Sequence, residues 1–224
     1  IGDFAGGALY LAFGVVCGVL EAQRSSRGQV VDASMIDGTA SLMTAFHGMV
    51  AAGLATHERG TNHIDTGSHF YNVYECADGR WISIAPIEGK FYAELLRRLD
   101  IDPATMPPQM DRAHWPEAQA RLAALFKTRT CREWCDTLEG SDACFAPVLT
   151  TDEAPQHPHN AARRSYIEID GVVQPAPAPR FSRSVPDLPI PPQPPSRGED
   201  ADAVLAGWLE PGEIAVLRAA GTLG

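Results

Sequence analysis

Positive charge is scarce in this chain of 224 residues: 18 Lys and Arg stand against 28 Asp and Glu, for a formal net charge of -10. No Lys/Arg cluster offsets that average locally, so a nucleic-acid surface is excluded. Paired cysteine spacing is missing too. The five cysteines, Cys17, Cys76, Cys131, Cys135 and Cys144, are odd in number and scattered. That usage fits free thiols in a reducing compartment, which points to the cytoplasm or an organelle matrix. Metal-ligand spacing is equally thin. Cys131 and Cys135 lie four apart and His157-Pro158-His159 looks like a pair, but neither has the further ligands a zinc site requires. Both read as structural or surface residues, and no metal is expected. No internal repeat divides the chain.

Charge is absent altogether from Phe4 to Leu20. The run is slightly short for a membrane span and is interrupted by Gly6, Gly7, Gly14 and Gly18, so no membrane span is expected. It reads instead as a helix buried on all sides in a large α/β core, with glycines that admit close neighbours. At 45% hydrophobic and 21% charged residues, the chain can supply a core for one domain or two small ones. The helix opens on Ile1-Gly2-Asp3-Phe4-Ala5-Gly6-Gly7. A helix start leaves N–H groups unpaired and carries partial positive charge, which stabilises a carboxylate or a developing oxyanion. Glycines there let a ligand approach the backbone. Asp3 therefore has two readings, a catalytic group or a plain helix cap. The opening inside an element gives the expectation of a longer protein.

After Gly28 the pattern predicts a short extended stretch over Gln29 to Asp32, then a second helix from about Ser34 to Ala52. Met35, Ile36, Leu42, Met43, Phe46 and Met49 are expected to form its core face, with His47 beside it as a buried or half-buried structural histidine, a catalytic role staying open. Residues 54–69 have no period and read as a functional loop. Phe70 to Cys76 and Arg80 to Pro86 flank Ala77-Asp78-Gly79 as a hairpin. Glu88 opens a helix carrying Phe91, Tyr92, Leu95 and Leu96. Further helices are predicted from Trp115-Pro116 to Phe126 and from the capping box Thr130–Glu133 to Gly140. Cys144 to Leu149 reads as an edge strand because of Pro147. Tyr166 to Val173 forms a second hairpin around Asp170-Gly171. The nine prolines between Pro175 and Pro195 impose an extended connector, after which helices return at 200–208 and 211–220.

Six motifs then occur in order: Gly2-Asp3-Phe4-x-Gly6-Gly7, Gly28-x-x-x-Asp32-x-Ser34-Met35-x-x-Gly38, Arg59-Gly60-x-Asn62-x-x-Asp65-x-Gly67, Phe70-Tyr71-x-x-Tyr74-x-x-Ala77-Asp78-Gly79, Ile87-Glu88-x-x-Phe91-Tyr92 and Pro177-x-Pro179-Arg180-Phe181-Ser182. Their order resembles the family III CoA-transferase (CaiB/BaiF-like) superfamily, in its α-methylacyl-CoA racemase branch, over nearly the whole chain. The resemblance implies an α/β fold made of the C-terminal portion of a Rossmann-like large domain plus a small α/β domain, in an interlocked homodimer. Residues 1–54 would end the large CoA-binding domain, 55–69 would be a linker and active-site loop, and 70–174 the small domain. Residues 175–224 would return to pack on the large domain. A Rossmann-like portion bearing a catalytic histidine would precede Asp3; none of this chain's histidines stands there.

The activity implied is racemisation of 2-methyl-branched acyl-CoA thioesters by moving the proton on the carbon beside the thioester. Such a carbon acid needs its enolate oxygen stabilised and an acid/base group on each face. By the resemblance, Asp3 and Glu88 are the catalytic carboxylates, Glu88 serving as partner of the histidine. Phe4, Gly6, Ile64, Asp65, Gly67, Tyr71 and Ile87 would contact substrate. No cofactor is implied beyond the CoA of the substrate. Thr66, Ser68, His69, Gly89 and Lys90 depart from the family pattern, which leaves the acyl preference open. A CoA transferase of the same fold, with Asp3 as nucleophile, is the nearest alternative. The single glycine in Ala85-Pro86-Ile87-Glu88-Gly89-Lys90, where those transferases carry several, favours the racemase. A non-catalytic fragment or assembly partner is the alternative of another class.

Overall fold

The computed structural model describes residues 1–169, 171–184 and 198–223. The chain divides into two compact units, Ile1–Val148 and Leu149–Gly224. The architecture is α/β, with helices set around small antiparallel sheets.

The first unit opens with π-helical Gly2–Leu9, continues as α1 (Tyr10–Ser25), and is followed by α2 (Met35–Leu42) and α3 (Thr44–Ala51). Gly6 N–H donates to the Ile1 carbonyl at 3.0 Å, five residues back, which widens the first turns. Gly6 and Gly38 let this helix and α2 touch backbone to backbone. A Cβ on Gly38 would lie 1.9 Å from the Gly6 carbonyl oxygen, and one on Gly6 would lie 2.5 Å from Thr39 Oγ1. Farther along, Val31 lies over Gly14 and Gly18, so the glycines of the apolar run do admit close neighbours.

The expectation of a helix buried on all sides does not hold. α1 has no buried residue, and in the most apolar window of the whole helical run Gly2–Ser25 only 11% of the residues are buried. Within the described chain, α2 and the segment around Val31 reach only its glycine-bearing side; Phe4, Phe13 and Val16 remain exposed. By length and composition, Gly2–Ser25 could cross a membrane. The expected second helix is two helices. Met43 breaks it at φ -85, ψ 1, where the Thr44 hydroxyl captures the Ser41 carbonyl at 2.7 Å and competes with the helical ladder. Its supposed core face is open as well: Met35, Ile36, Leu42 and Met43 are exposed, and so is His47, which is not the half-buried residue expected. Residues 29–32 have no regular secondary structure and join no sheet.

The buried core lies within residues 70–143. Strands β1 (Asn72–Glu75), β2 (Trp81–Ile84) and β3 (Phe145–Pro147) form an antiparallel sheet in the order β1-β2-β3, with Tyr74 opposite Ile82 and Ile84 opposite Phe145. The alternation turns Tyr74, Ile82 and Ile84 inward and leaves Val73 and Trp81 exposed. Pro147 sits on an edge strand, where a missing N–H is tolerated. Against this sheet pack α4 (Gly89–Arg98), α5 (Trp115–Phe126) and α6 (Cys131–Leu138).

Each of these helices buries one stripe. α4 contributes Tyr92, Leu95, Leu96 and, at its C-cap, Leu99, while Glu94 pairs with Arg97 and Arg98 on the wet face. α5 buries Trp115, Ala118, Leu122 and Phe126; α6 buries Cys131, Trp134 and Leu138. The predicted capping box is present, with Thr130 and Glu133 exchanging bonds. Both buried indoles are satisfied: Trp115 Nε1 donates to the Gln109 carbonyl and Trp134 Nε1 to the Phe126 carbonyl, each at 2.8 Å.

The second unit contains α7 (Pro158–Arg163), the hairpin β4 (Tyr166–Ile169) and β5 (Val172–Pro175), α8 (Ala201–Leu205) and α9 (Pro211–Ala219). Arg218 meets Asp202 at 2.7 Å, joining α9 to α8. The turn residue Asp170 and the connector's 185–195 lie outside the described residues.

Candidate functional site

Three local structures carry the residues singled out in the sequence. The first is the helix start. Ile1 is the N-cap, so Asp3 falls inside the first turn and does not act as a cap. The Ile1 carbonyl takes its bonds from Ala5 at 2.9 Å and Gly6 at 3.0 Å, which leaves the N–H groups of Gly2, Asp3 and Phe4 ahead of the ladder. Asp3 and Phe4 are exposed, and the Asp3 side chain makes no hydrogen bond or ion pair among the described residues. Gly6 is buried beneath α2. Among the described residues, the result is an uncommitted carboxylate beside backbone donors without partners.

The second structure is the loop 55–69, and Asp65 is its hub. One carboxylate oxygen accepts from Asn62 N–H at 2.7 Å and Gly67 N–H at 3.3 Å; the other accepts from Asn62 Nδ2 at 2.8 Å and Gly60 N–H at 3.1 Å. Partial burial pushes the Asp65 carboxyl up. The bonds from Asn62, Gly60 and Gly67 outweigh that push and hold it below the usual carboxylate range. Asn62 extends the network by accepting from Thr56 N–H at 2.8 Å. Gly67 is wedged against backbone, since a Cβ there would sit 2.6 Å from the Asn62 carbonyl oxygen. Asp65 and Gly67 thus shape the loop from within, whereas Ile64 is exposed. A cavity of about 290 Å³ opens between α3 and this loop, bordered by Phe46, His47, Arg59 and Asp65.

The third structure is the turn from β2 into α4. Ala85 N–H donates to the Cys144 carbonyl and Ile87 N–H to the Ala85 carbonyl, both at 2.9 Å. Glu88 is the N-cap of α4 in extended conformation, φ -74, ψ 136, and its side chain does not cap the helix. The residue is exposed, and its side chain makes no hydrogen bond or ion pair among the described residues. Its charge is felt nearby. The Cys144 thiol is pushed up, first by partial burial and then by the Glu88 carboxylate. Ile87 is exposed beside it, and Tyr71 packs half-buried on the core. No hydrogen bond or ion pair joins Asp3 to Glu88.

Sequence reasoning missed two residues that support these structures. Gln109 reaches back more than twenty positions to donate to the Pro86 and Ile87 carbonyls. His69 is fully buried, its Nε2 2.8 Å from the Tyr92 hydroxyl, while Tyr74 donates to its carbonyl at 2.6 Å. Neither signal is periodic; each is one side chain meeting a distant segment.

Burial holds the His69 imidazole down to about 4 from its usual 6.5. Between those values the unfolded chain binds more protons than the folded one, so stability is lost as pH falls through that window. A His69→Gln variant, which keeps a partner for Tyr92, should lack this component. Chemical denaturation from pH 7 to 4 measures it, and identical pH slopes in the two proteins would remove His69 as its source.

Among the described residues, no group of three or more His, Cys, Asp or Glu is placed to hold a metal ion. The chain matches the profile of CoA-transferase family III over residues 1–201. It is 42% identical to α-methylacyl-CoA racemase of Mus musculus over 207 residues, covering 92% of this chain and 54% of the relative. Identity to the Homo sapiens α-methylacyl-CoA racemase is 36% over 206 residues, with the same two coverages. A CAIB/BAIF family protein from Brucella suis shares the fold at TM-score 0.66 and 20% identity, over 90% of this chain and 54% of that one. The chain spans about half the length of the curated relatives it matches. A profile that accounts for most of the chain, together with these two identities, places it: this chain belongs to CoA-transferase family III.

Proposed function

We propose that this chain forms part of an enzyme that racemises 2-methyl-branched acyl-CoA thioesters by 1,1-proton transfer through an enolate. The observation that carries the proposal is Asp3, an uncommitted carboxylate in the first turn of a helix beside backbone N–H groups that precede the ladder. Those donors can hold the thioester oxygen while charge develops on it, and the carboxylate can exchange the α-proton. The 42% and 36% identities to proteins named α-methylacyl-CoA racemase support this reaction over others in the family. Glu88 supplies the second carboxylate, as partner of the opposite acid/base group. Phe4, Ile64, Tyr71 and Ile87 face the acyl portion, while Gly6, Asp65 and Gly67 keep the walls in shape.

The substrate brings its own CoA and no further cofactor is required. The exposed apolar face of α1 is assigned to contact with protein, in a cytoplasmic, interlocked homodimer with no membrane span. A transferase reading is kept alive by the same exposed Asp3, since a free carboxylate at that place is also fit to attack the thioester carbonyl, break its C–S bond with CoA thiolate leaving, and form a mixed anhydride. One assay separates the two. The full-length protein with a 2-methylacyl-CoA in deuterated water should incorporate deuterium at the α-carbon, with no CoA released on adding hydroxylamine. A stoichiometric acyl adduct on Asp3 by mass spectrometry would establish the transferase instead.

A further inference from the structure

We infer that Gln109 is a positioning residue for Glu88, an inference that rests on the proton-transfer reading above. Its side-chain Nε2 donates to two successive carbonyls, Pro86 and Ile87, each at 2.9 Å. The first carbonyl belongs to the peptide plane between residues 86 and 87, the second to the plane between 87 and 88. Peptide planes are rigid, so fixing both leaves the chain entering Glu88 almost no freedom. On the far side, the Glu88 carbonyl accepts the N–H groups of Phe91 and Tyr92 at 3.0 Å each, which fixes the plane leaving Glu88. The backbone around Glu88 is therefore held from both directions, and only the side-chain torsions remain to aim the carboxylate.

Simple hydrogen-bond satisfaction does not account for this arrangement. The Ile87 carbonyl contact is exposed, so water could satisfy that acceptor without any side chain. Gln109 is itself anchored. Its own carbonyl accepts from Nε1 of buried Trp115 at 2.8 Å, and the preceding Pro107-Pro108 stiffens its approach. The anchor chain thus runs from the core, through Trp115 and Gln109, to the turn that presents Ile87 and Glu88. Meanwhile, the Glu88 carboxylate is spent on neither capping nor pairing. Rigid backbone under an uncommitted side chain is what a group needs if it is to meet a partner at a set distance, because small misplacements cost rate steeply.

The test is a double-mutant cycle on the full-length protein, read by α-proton exchange. Gln109→Leu should lower kcat about 10- to 100-fold with little change in KM. In a Glu88→Gln background the same substitution should change kcat little, because the group being positioned is already gone. Equal losses in both backgrounds would show that Gln109 acts independently of Glu88 and would overturn the inference, as would an unchanged kcat in Gln109→Leu alone. If Gln109→Leu does not fold, Gln109→Lys replaces the planar amide by a flexible ammonium that does not fix both peptide planes. A loss of kcat confined to the Glu88 background then supports positioning; retained kcat, or a loss by the same factor in both backgrounds, rejects it. Exchange absent from the unsubstituted protein would remove the proton-transfer reading itself, and this inference with it. Normal exchange with indifferent Gln109 variants would remove this inference alone.

Discussion

Asp3→Asn in the full-length protein should abolish nearly all α-proton exchange, lowering kcat by about 10²- to 10⁴-fold, the range over which a single positioned acid/base group acts. The structure makes this a clean substitution. Asp3 does not cap its helix and its side chain joins no hydrogen bond or ion pair among the described residues, so Asn has no structural bond to lose. Thermal stability should stay within about 0.5 kcal/mol of the parent, as for an exposed position without special contacts. Binding of the CoA ester should also persist, since the change removes proton transfer and leaves the neighbouring N–H groups in place. Isothermal titration with a non-exchanging CoA thioester measures binding, and deuterium incorporation measures chemistry. Full exchange in Asp3→Asn would return Asp3 to an ordinary solvent-exposed residue of a helix start.

What could be read from the sequence divides along a physical line. Between residues 70 and 148 the chain buries its own pattern, so periodicity sufficed: Tyr92, Leu95 and Leu96 mark the inward stripe of α4, Thr130 and Glu133 mark a helix start, and Pro147 marks an edge. In residues 1–52 the same reasoning misled. An apolar run reports a need for cover, but not which surface provides it, and Phe13, Val16 and Ile36 remain exposed in the described chain. The break at Met43 was visible only as the Thr44 hydroxyl, whose bond to the Ser41 carbonyl is a local competition that apolar spacing overrides when a helix is predicted.

The candidate site divides in the same way. Asp3 and Glu88 could be named from motifs, and their lack of structural commitments is new information. Asp65 carried the same motif-based expectation of touching substrate, yet its oxygens are engaged by Asn62, Gly60 and Gly67. The polar, aperiodic loop is thus explained by one carboxylate organising nearby backbone. The side-chain bonds of Gln109 and His69 escaped notice because they reach residues more than twenty positions away, with no spacing rule to connect them.

The second large effect concerns whose Glu88 serves whose Asp3. The two carboxylates stand on separate elements of one chain with no bond between them, which fits the proposed interlocked dimer, where each site takes Asp3 from one chain and Glu88 from the other. Two full-length variants, Asp3→Ala and Glu88→Gln, should each exchange poorly as homodimers. Unfolded and refolded together, they should form mixed dimers in which one site holds both lesions and the other holds neither. With random pairing, about half the dimers would be mixed and half of their sites intact, so roughly a quarter of the parental activity should return, far above either variant alone. A mixed dimer isolated by differential tags gives the sharper number, about half of parental kcat. If the verified mixed dimer stays as inactive as its parents, Asp3 and Glu88 belong to the same chain's site and the shared-site arrangement is wrong. Recovery of activity would also account for the open face of α1 and the free Glu88 carboxylate together, because an interlocked partner would bring protein against both.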